Sequence, residues 1–401
     1  MNHKELQRNP TSEWINALRL RYPMERTMDD TLTRKLRRRA APSPAGGEDF
    51  PAQVQNFLAK RIDGPFTMKN LRPLTGGASK EQFVFDLDWT CNGEQRTAER
   101  MVIRREPEES VVETSRLREY QLIAAVKDIL PVPPVYWLDE TGAELTRPTM
   151  ICGFVTGVQK PPAGTSNVTG VGIQFDEAHR AAIGPQFIEY LAKIHNFSNP
   201  TADLSAFDMP RLGTTDDVDW QINWWSRVWR EDSLEAVPLF TFAERWLRAN
   251  RKPLDKISLV HGDFRTGNYL FDATTKKITA ILDWELGYFG DRHMDLAWIL
   301  MEIFSTTDAQ GNKFSSSLFD EADFLAEYSR VSGLTVDPER LRYYKVFVAW
   351  KGVVHTQATA LRVASGAKSH QDVLLSWFSG LSYPLLESLR RTLAVAIDAK
   401  A

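Results

Sequence analysis

Two short blocks constrain this chain more than any other feature: His261-Gly262-Asp263-Phe264-Arg265-Thr266-Gly267-Asn268, and Ile281-Leu282-Asp283-Trp284-Glu285, with Asp283 twenty residues after Asp263. They supply a carboxylate, an amide five residues later, and a second carboxylate. Phosphoryl transfer asks for that set: one carboxylate to accept the proton of an acceptor hydroxyl, and an amide with a second carboxylate to hold magnesium on nucleotide phosphates. Either block alone is a weak signal, since His-Gly-Asp also reads as an ordinary turn and Asp283 as a strand-end carboxylate capping the next helix. Their joint occurrence, in this order, carries the reading.

The spacing of Asp263 and Asn268 is similar to that of the protein-kinase catalytic loop, H-R-D-L-x-x-x-N, and Asp283 stands where D-F-G stands. Gly262 replaces the Arg of the first motif, and Trp284-Glu285 the Phe-Gly of the second. With Gly290-Asp291 and Asp295-Leu296-Ala297-Trp298, the run resembles the aminoglycoside phosphotransferase family, nearest the subgroup related to the kinase domains fused to some acyl-CoA dehydrogenases. The resemblance implies an α+β, bilobal, protein-kinase-like fold with a small β-rich N-lobe, a larger, mostly helical C-lobe and, here, an N-terminal helical extension. It also implies ATP and Mg2+ as cofactors. Asp263 would be the base, Asn268 and Asp283 the metal ligands, and His261 a residue that orients the catalytic loop. Arg265 would face the transferring phosphoryl group or pair with Glu285. Asp295 would accept backbone N–H groups of the catalytic loop.

At 401 residues the chain exceeds the length at which single cores usually stop growing, about 250 to 300 residues, so two lobes with a cleft are expected. A hydrophobic content of 43% and a net charge of −3 are ordinary for a globular protein and argue against a nucleic-acid partner. Cys91 and Cys152 match no metal spacing and no disulfide framework, which fits a reducing cytoplasm. No apolar run approaches the roughly 18 residues of a membrane span, and the first residues lack the apolar stretch of a signal peptide. A soluble, unprocessed, cytoplasmic protein without a membrane partner is expected; a homodimer is compatible with the sequence.

Along the chain, residues 1–49 read as a helical extension and linker, 50–156 as the N-lobe and 157–401 as the C-lobe. The extension shows apolar residues near a 3.6 period from Trp14 to Leu36, with Ser12 as cap and Pro23 as a break. Its Arg34–Arg39 segment carries five positive charges, read first as a solvated helix end and second as a docking patch. Alternating apolar residues at Phe83, Phe85 and Leu87 and the Met101-Val102-Ile103 run predict a hairpin-rich sheet. The turn Thr75-Gly76-Gly77-Ala78-Ser79-Lys80 is positioned as a nucleotide lid, so Gly76, Gly77 and Ser79 are cofactor-binding candidates. The cationic position on the following strand falls to Arg104, or to Arg105 if the register slips by one, with Glu119 as acidic partner on a helix over 112–127. Backbone groups of Gly153, Phe154 and Val155 would form the hinge that reads adenine.

The rest predicts helices, including one long amphipathic stretch over 219–249 with Trp220, Trp224, Trp225 and Trp229, read as core aromatics. His195 reads as structural. Between Val336 and His370 there are six basic residues, Arg340, Arg342, Lys345, Lys351, Arg362 and Lys368, against the acids Asp337 and Glu339. That excess suits an anionic, partly apolar hydroxylated small molecule, such as a hydroxyacyl thioester of coenzyme A, and opposes a polycationic one. An antibiotic-inactivating phosphotransferase (aminoglycoside or macrolide) and a non-catalytic pseudokinase are the alternatives. No Ala-Pro-Glu closes an activation segment after Asp283, which disfavours a polypeptide acceptor.

Overall fold

The computed structural model describes residues 2–40, 49–74, 80–161, 172–366 and 378–399. Gly76, Gly77, Ser79, Lys368 and the linker from Ala41 to Gly47 lie outside the described residues. The chain opens with helices α1 (His3–Arg8), α2 (Ser12–Arg21) and α3 (Arg26–Ala40), the latter two separated around Pro23. Thr11, not Ser12, caps α2: its side chain accepts from Trp14 N–H, and Ser12 is the first helical residue. Helix α4 (Phe50–Ala59) follows.

Strands β1 (Thr67–Pro73), β2 (Glu81–Cys91) and β3 (Glu94–Arg105), helix α5 (Arg116–Val126), and strands β4 (Val135–Asp139) and β5 (Thr149–Gly153) complete the small lobe. The sheet is antiparallel in the order β1-β2-β3-β5-β4. Strand periodicity sorts its two faces. Phe85 and Leu87, with Met101, Ile103 and Ile151, pack on Val54, Phe57 and Leu58 of α4. The other face carries Arg104 towards α5. Pairing of Gln82 with Arg104 and Glu81 with Arg105 fixes the register. Arg105 therefore lies on the α4 side, over the Phe50 ring at 4.1 Å and paired with Glu81 at 2.7 Å. Arg104 is the inward arginine.

After β5 the chain crosses to the large lobe, where Val158 bridges to Phe271. Helices α6 (Glu177–His195), α7 (Asp216–Asp232) and α8 (Pro238–Ala249) come next. The expected single stretch over 219–249 is thus two helices, because the chain leaves the helix at Ser233 and Pro238 starts another. Two hairpin-like pairs then carry the motif residues: β6 (Ser258–Val260) pairs with β9 (Tyr288–Gly290), and β7 (Tyr269–Phe271) with β8 (Ile278–Ile281). Helices α9 (His293–Ile299), α10 (Glu321–Ser332) and α11 (Pro338–Val353) follow; α11 continues through a π-helical segment, Val354–Ala360, into α12 (Leu361–Gly366), and α13 (Ser382–Asp398) ends the fold.

The extension belongs to the large core rather than beside it: Met28 and Leu32 are buried with Trp224 and Trp225. Its basic segment is only partly solvated: Arg37 and Arg38 are exposed, but Lys35 and Arg39 turn inward. Lys35 is buried against Glu231 at 2.7 Å and Asp232 at 3.0 Å, Arg39 reaches Asp232 at 2.7 Å, and Arg38 pairs with Glu113. The acids that neutralise it lie nearly two hundred positions away on α7, or on the loop before α5, out of reach of any local pattern.

Candidate active site

The motif loop runs between β6 and β7, and its shape follows from two residues. Gly262 stands at φ +82°, and a Cβ there would lie 2.5 Å from Leu286 O, so an arginine at this position has no room. Asp295 on α9 accepts from His261 N–H at 2.7 Å and Gly262 N–H at 2.8 Å, pinning the start of the loop. Asp295 is in turn held by His195 Nε2 at 3.2 Å, whose Nδ1 meets Tyr328 OH at 2.7 Å. His195 therefore acts at the back of the loop, away from the reacting groups.

His261 is fully buried, and burial depresses its imidazole pKa, with Asp295 and Asp263 opposing. Its Nε2 lies 3.0 Å from Leu282 O, and its Nδ1 takes Asp263 N–H at 3.3 Å. A neutral ring protonated on Nε2 satisfies both contacts, so His261 ties the loop to the link between β8 and Asp283. It positions rather than titrates.

Three donors hold the Asp263 carboxylate: Trp298 Nε1 at 2.7 Å and Arg265 Nε at 2.9 Å on Oδ1, and Asn268 Nδ2 at 2.6 Å on Oδ2. Arg265 therefore pairs with Asp263, not with Glu285. Glu285 is instead buried among Arg116 at 2.8 Å, Lys80 at 3.3 Å and Thr114. Burial alone would raise its pKa, but Lys80 and Arg116 outweigh it and hold the carboxyl down at about 2.

Asn268 donates a second bond to Asp263 O at 2.9 Å, which leaves its Oδ1 without a protein donor among the described residues. Its carbonyl accepts from Leu282 N–H at 2.8 Å, bringing it beside Asp283. Asp283 has φ +58°, a left-handed conformation that is uncommon for a residue with a side chain and clusters at functional sites. Trp284 anchors that turn, fully buried on the His261 ring at 4.6 Å. Asp283 keeps about a third of its side chain exposed and shares Oδ1 with Arg104 at 2.8 Å. An oxygen-rich pair, one carboxylate and one amide, fits Mg2+, which retains waters and phosphate oxygens in its shell.

Arg104 also meets Glu119 at 3.0 Å, and the two carboxylates hold its guanidinium firmly charged against the opposing effect of burial. At the hinge, Gly153 N–H donates to Pro134 O at 2.8 Å and Phe154 N–H to Arg100 O at 2.9 Å. Those two donors are thus spent inside the sheet, which leaves their carbonyls and Val155 as the candidate contacts.

Residues 70–344 match the family model described as "Phosphotransferase enzyme family". The chain belongs to that family. Among curated proteins it is 25% identical over 366 residues to acyl-CoA dehydrogenase family member 11 of Gallus gallus, covering 83% of this chain and 42% of that one. It is 27% identical over 209 residues to acyl-CoA dehydrogenase family member 10 of Mus musculus, covering 51% of this chain and 18% of that one. The chain therefore spans less than half the length of these relatives. A crystal structure from Ralstonia eutropha JMP134, provisionally named an aminoglycoside phosphotransferase, superposes with a TM-score of 0.58 at 21% identity, over 85% of this chain and 97% of that one. That likeness shows the bilobal kinase-like fold.

The basic face expected over 336–370 is largely neutralised. Arg340 pairs with Asp291 at 2.9 Å, Lys345 with Glu321 at 2.5 Å, and Arg362 with Glu109 at 2.5 Å and Asp232 at 3.0 Å. Lys351 differs. It is buried, donates to Gly262 O at 3.1 Å, lies 4.4 Å from the Trp298 ring centre and 5.2 Å from that of Trp225, and has no carboxylate partner among the described residues. One turn on, in the π-helical segment, His355 packs on Trp225 at 4.7 Å, and its buried Nε2 has no partner among the described residues. Trp298 was the functional neighbour that the sequence reading missed. Its position three residues after Asp295, one helical turn, was the signal that both side chains serve the same loop.

Proposed function

We propose that the protein transfers the γ-phosphoryl group of Mg-ATP to a hydroxyl of a small molecule that is anionic and partly apolar, with a hydroxyacyl-coenzyme A thioester as the leading example. The observation that carries the reading is the Asp263 carboxylate, fixed by Trp298, Arg265 and Asn268 beside an amide oxygen and a carboxylate suited to magnesium. Asp263 would accept the acceptor's proton; Arg265, 2.9 Å from Asp263, would offset charge on the transferring group; Asn268 and Asp283 would hold the metal. Arg104, set by Glu119, would meet the α and β phosphates, with Gly76, Gly77 and Ser79 of the glycine-rich sequence as further phosphate-binding candidates and residues 153–155 against the adenine. The metal supplies charge neutralisation on the phosphates, and the protein supplies orientation and a fixed electrostatic field.

Support for an anionic acceptor rests on Lys351. A buried ammonium without a carboxylate is costly, and here it sits behind the Trp298 that touches the base. Polycations such as aminoglycosides would approach Arg265 and Lys351 with like charge, which counts against an aminoglycoside acceptor. The π-helical segment at His355 adds weight, since such segments are frequent at functional sites. A reducing cytoplasm and a small-molecule partner, with no nucleic acid or membrane, complete the reading.

The test is a transfer assay with Mg-ATP over 3-hydroxyacyl-coenzyme A thioesters, free hydroxy acids, hydroxylated aromatics and kanamycin, read by mass spectrometry of the acceptor. Phosphate should appear on an anionic acceptor. Transfer confined to kanamycin would refute the acceptor class, and ATP binding without transfer to any acceptor would favour the pseudokinase alternative.

A further inference from the structure

Helix α5 carries three charged residues in its first turn, Arg116, Arg118 and Glu119, and all are buried. At 100° per residue, Arg116 and Arg118 leave the helix on nearly opposite sides. Both reach the segment that follows Asp283: Arg116 binds Glu285 at 2.8 Å, and Arg118 binds Gly287 O at 3.1 Å. Glu119, on the Arg116 side, holds Arg104. Between the two arginines α5 packs on that segment so closely that a Cβ on Gly287 would lie 2.3 Å from the Leu122 side chain. The orientation of α5 therefore sets both the phosphate-facing arginine and the metal-facing turn.

Arg118 also has a carboxylate partner. Glu25, in the turn between α2 and α3, takes it in a two-pronged pair at 2.8 and 3.0 Å, and both side chains are almost wholly buried. The guanidinium lies 4.1 Å above the Phe207 ring. That turn is itself fixed to the large lobe without help from α5: Asn223 Nδ2 donates to Pro23 O at 2.7 Å, Arg26 N–H to Asp208 at 2.6 Å, and Arg227 grips Asp29 at 2.5 Å. Glu25 thus acts as a strut from the large lobe to α5.

We infer that the N-terminal helices are part of the nucleotide site, with Glu25 and Arg118 as positioning residues that hold α5 where Glu119 meets Arg104. The inference rests on the Mg-ATP part of the proposed function. It assigns residues remote from the phosphates a share in nucleotide affinity, through an ion pair that fixes a helix rather than through contact with ligand.

The experiment is calorimetric titration of Mg-ATP into the full chain and three variants: Glu25→Gln, Glu119→Gln, and the two combined. Glu25→Gln should weaken binding by about fivefold or more, the lower end of ordinary site-to-site coupling. In the Glu119→Gln background the same change should cost less than about twofold, since the route to Arg104 is already cut. A merely structural Glu25 would lower the melting temperature alike in both backgrounds and leave the affinity pattern additive; that result, or an unchanged affinity, overturns the inference. Should Glu25→Gln fail to fold, Arg118→Lys, which keeps a cation opposite Glu25, is read in the same cycle. A wild-type chain that does not bind Mg-ATP would sink the nucleotide site as a whole, and is thereby distinguished from failure of the strut alone.

Discussion

Replacing Lys351 by Met keeps the length of the side chain while removing the ammonium held between Trp225, Trp298 and Gly262 O. Burial pulls the Lys351 pKa from its ordinary 10.5 down to about 8, with Asp263 and Asp295 opposing. At 1.36 kcal/mol per unit, keeping it charged in the folded state costs about 3 kcal/mol. The charged hydrogen bond to Gly262 O returns roughly 1.5 to 3 kcal/mol, so near neutral pH the variant should be about as stable as the wild type, or more so. The pH dependence is sharper. Between pH 8 and 10.5 the unfolded chain holds a proton on Lys351 that the folded chain has lost, so wild-type stability rises with pH through that window. The Met variant lacks this slope. Urea unfolding of both proteins at pH 7, 8.5 and 10 should show the wild type gaining up to about 3 kcal/mol on the variant, and the difference cancels every other titrating group. Parallel curves would refute the reasoning. In the transfer assay the variant should raise the acceptor KM and leave that for ATP nearly unchanged, because Lys351 lies behind Trp298 and not at Arg104.

The remaining predictions concern carboxylates. Asp263→Asn should keep Mg-ATP affinity within about threefold in calorimetry while lowering transfer by about a hundredfold or more, since an amide cannot accept the hydroxyl proton. Asp283→Ala should instead weaken nucleotide binding in magnesium and have far less effect without it, as measured by the same titration with and without a chelator. Asp217, buried beside Asp291, has its carboxyl pushed up to about 7, first by burial and then by that neighbour. Its raised pKa makes it stabilising below the unfolded value near 3.8, and that contribution is lost as pH rises towards 7; Asp217→Asn should therefore gain about 2 kcal/mol on the wild type between pH 5 and 7 in urea unfolding.

Residues whose meeting depends on short-range spacing are legible in the sequence. Asp263, Asn268 and Asp283 sit within one supersecondary unit, so their order and separation nearly determine their meeting. The alternation at Phe83, Phe85 and Leu87 disclosed the sheet for the same reason. Arg104 could be separated from Arg105 only by register, which the pairing of Gln82 with Arg104 settles. Partnerships across long separations were invisible. The basic run on α3 looks solvated until Glu231 and Asp232 are brought to it, and the excess of Lys and Arg after Val336 looks like a binding face until Asp291, Glu321 and Glu109 are counted as neighbours. Lys351 stood out from that group only once burial was known.

Arg104 spans Glu119 and Asp283, so the carboxylate suited to magnesium already has a cation on one oxygen. On the proposed function, a metal ion arriving by itself would compete with that guanidinium for Asp283. A metal carried in on nucleotide phosphates would bring Arg104 a replacement partner in the same event. The arrangement would therefore favour entry of the metal–nucleotide complex as one ligand over prior binding of free magnesium. Arg104 would be free to return to Asp283 once the phosphates leave. A single arginine would thereby serve as a counter-ion in transit, keeping the buried charges balanced.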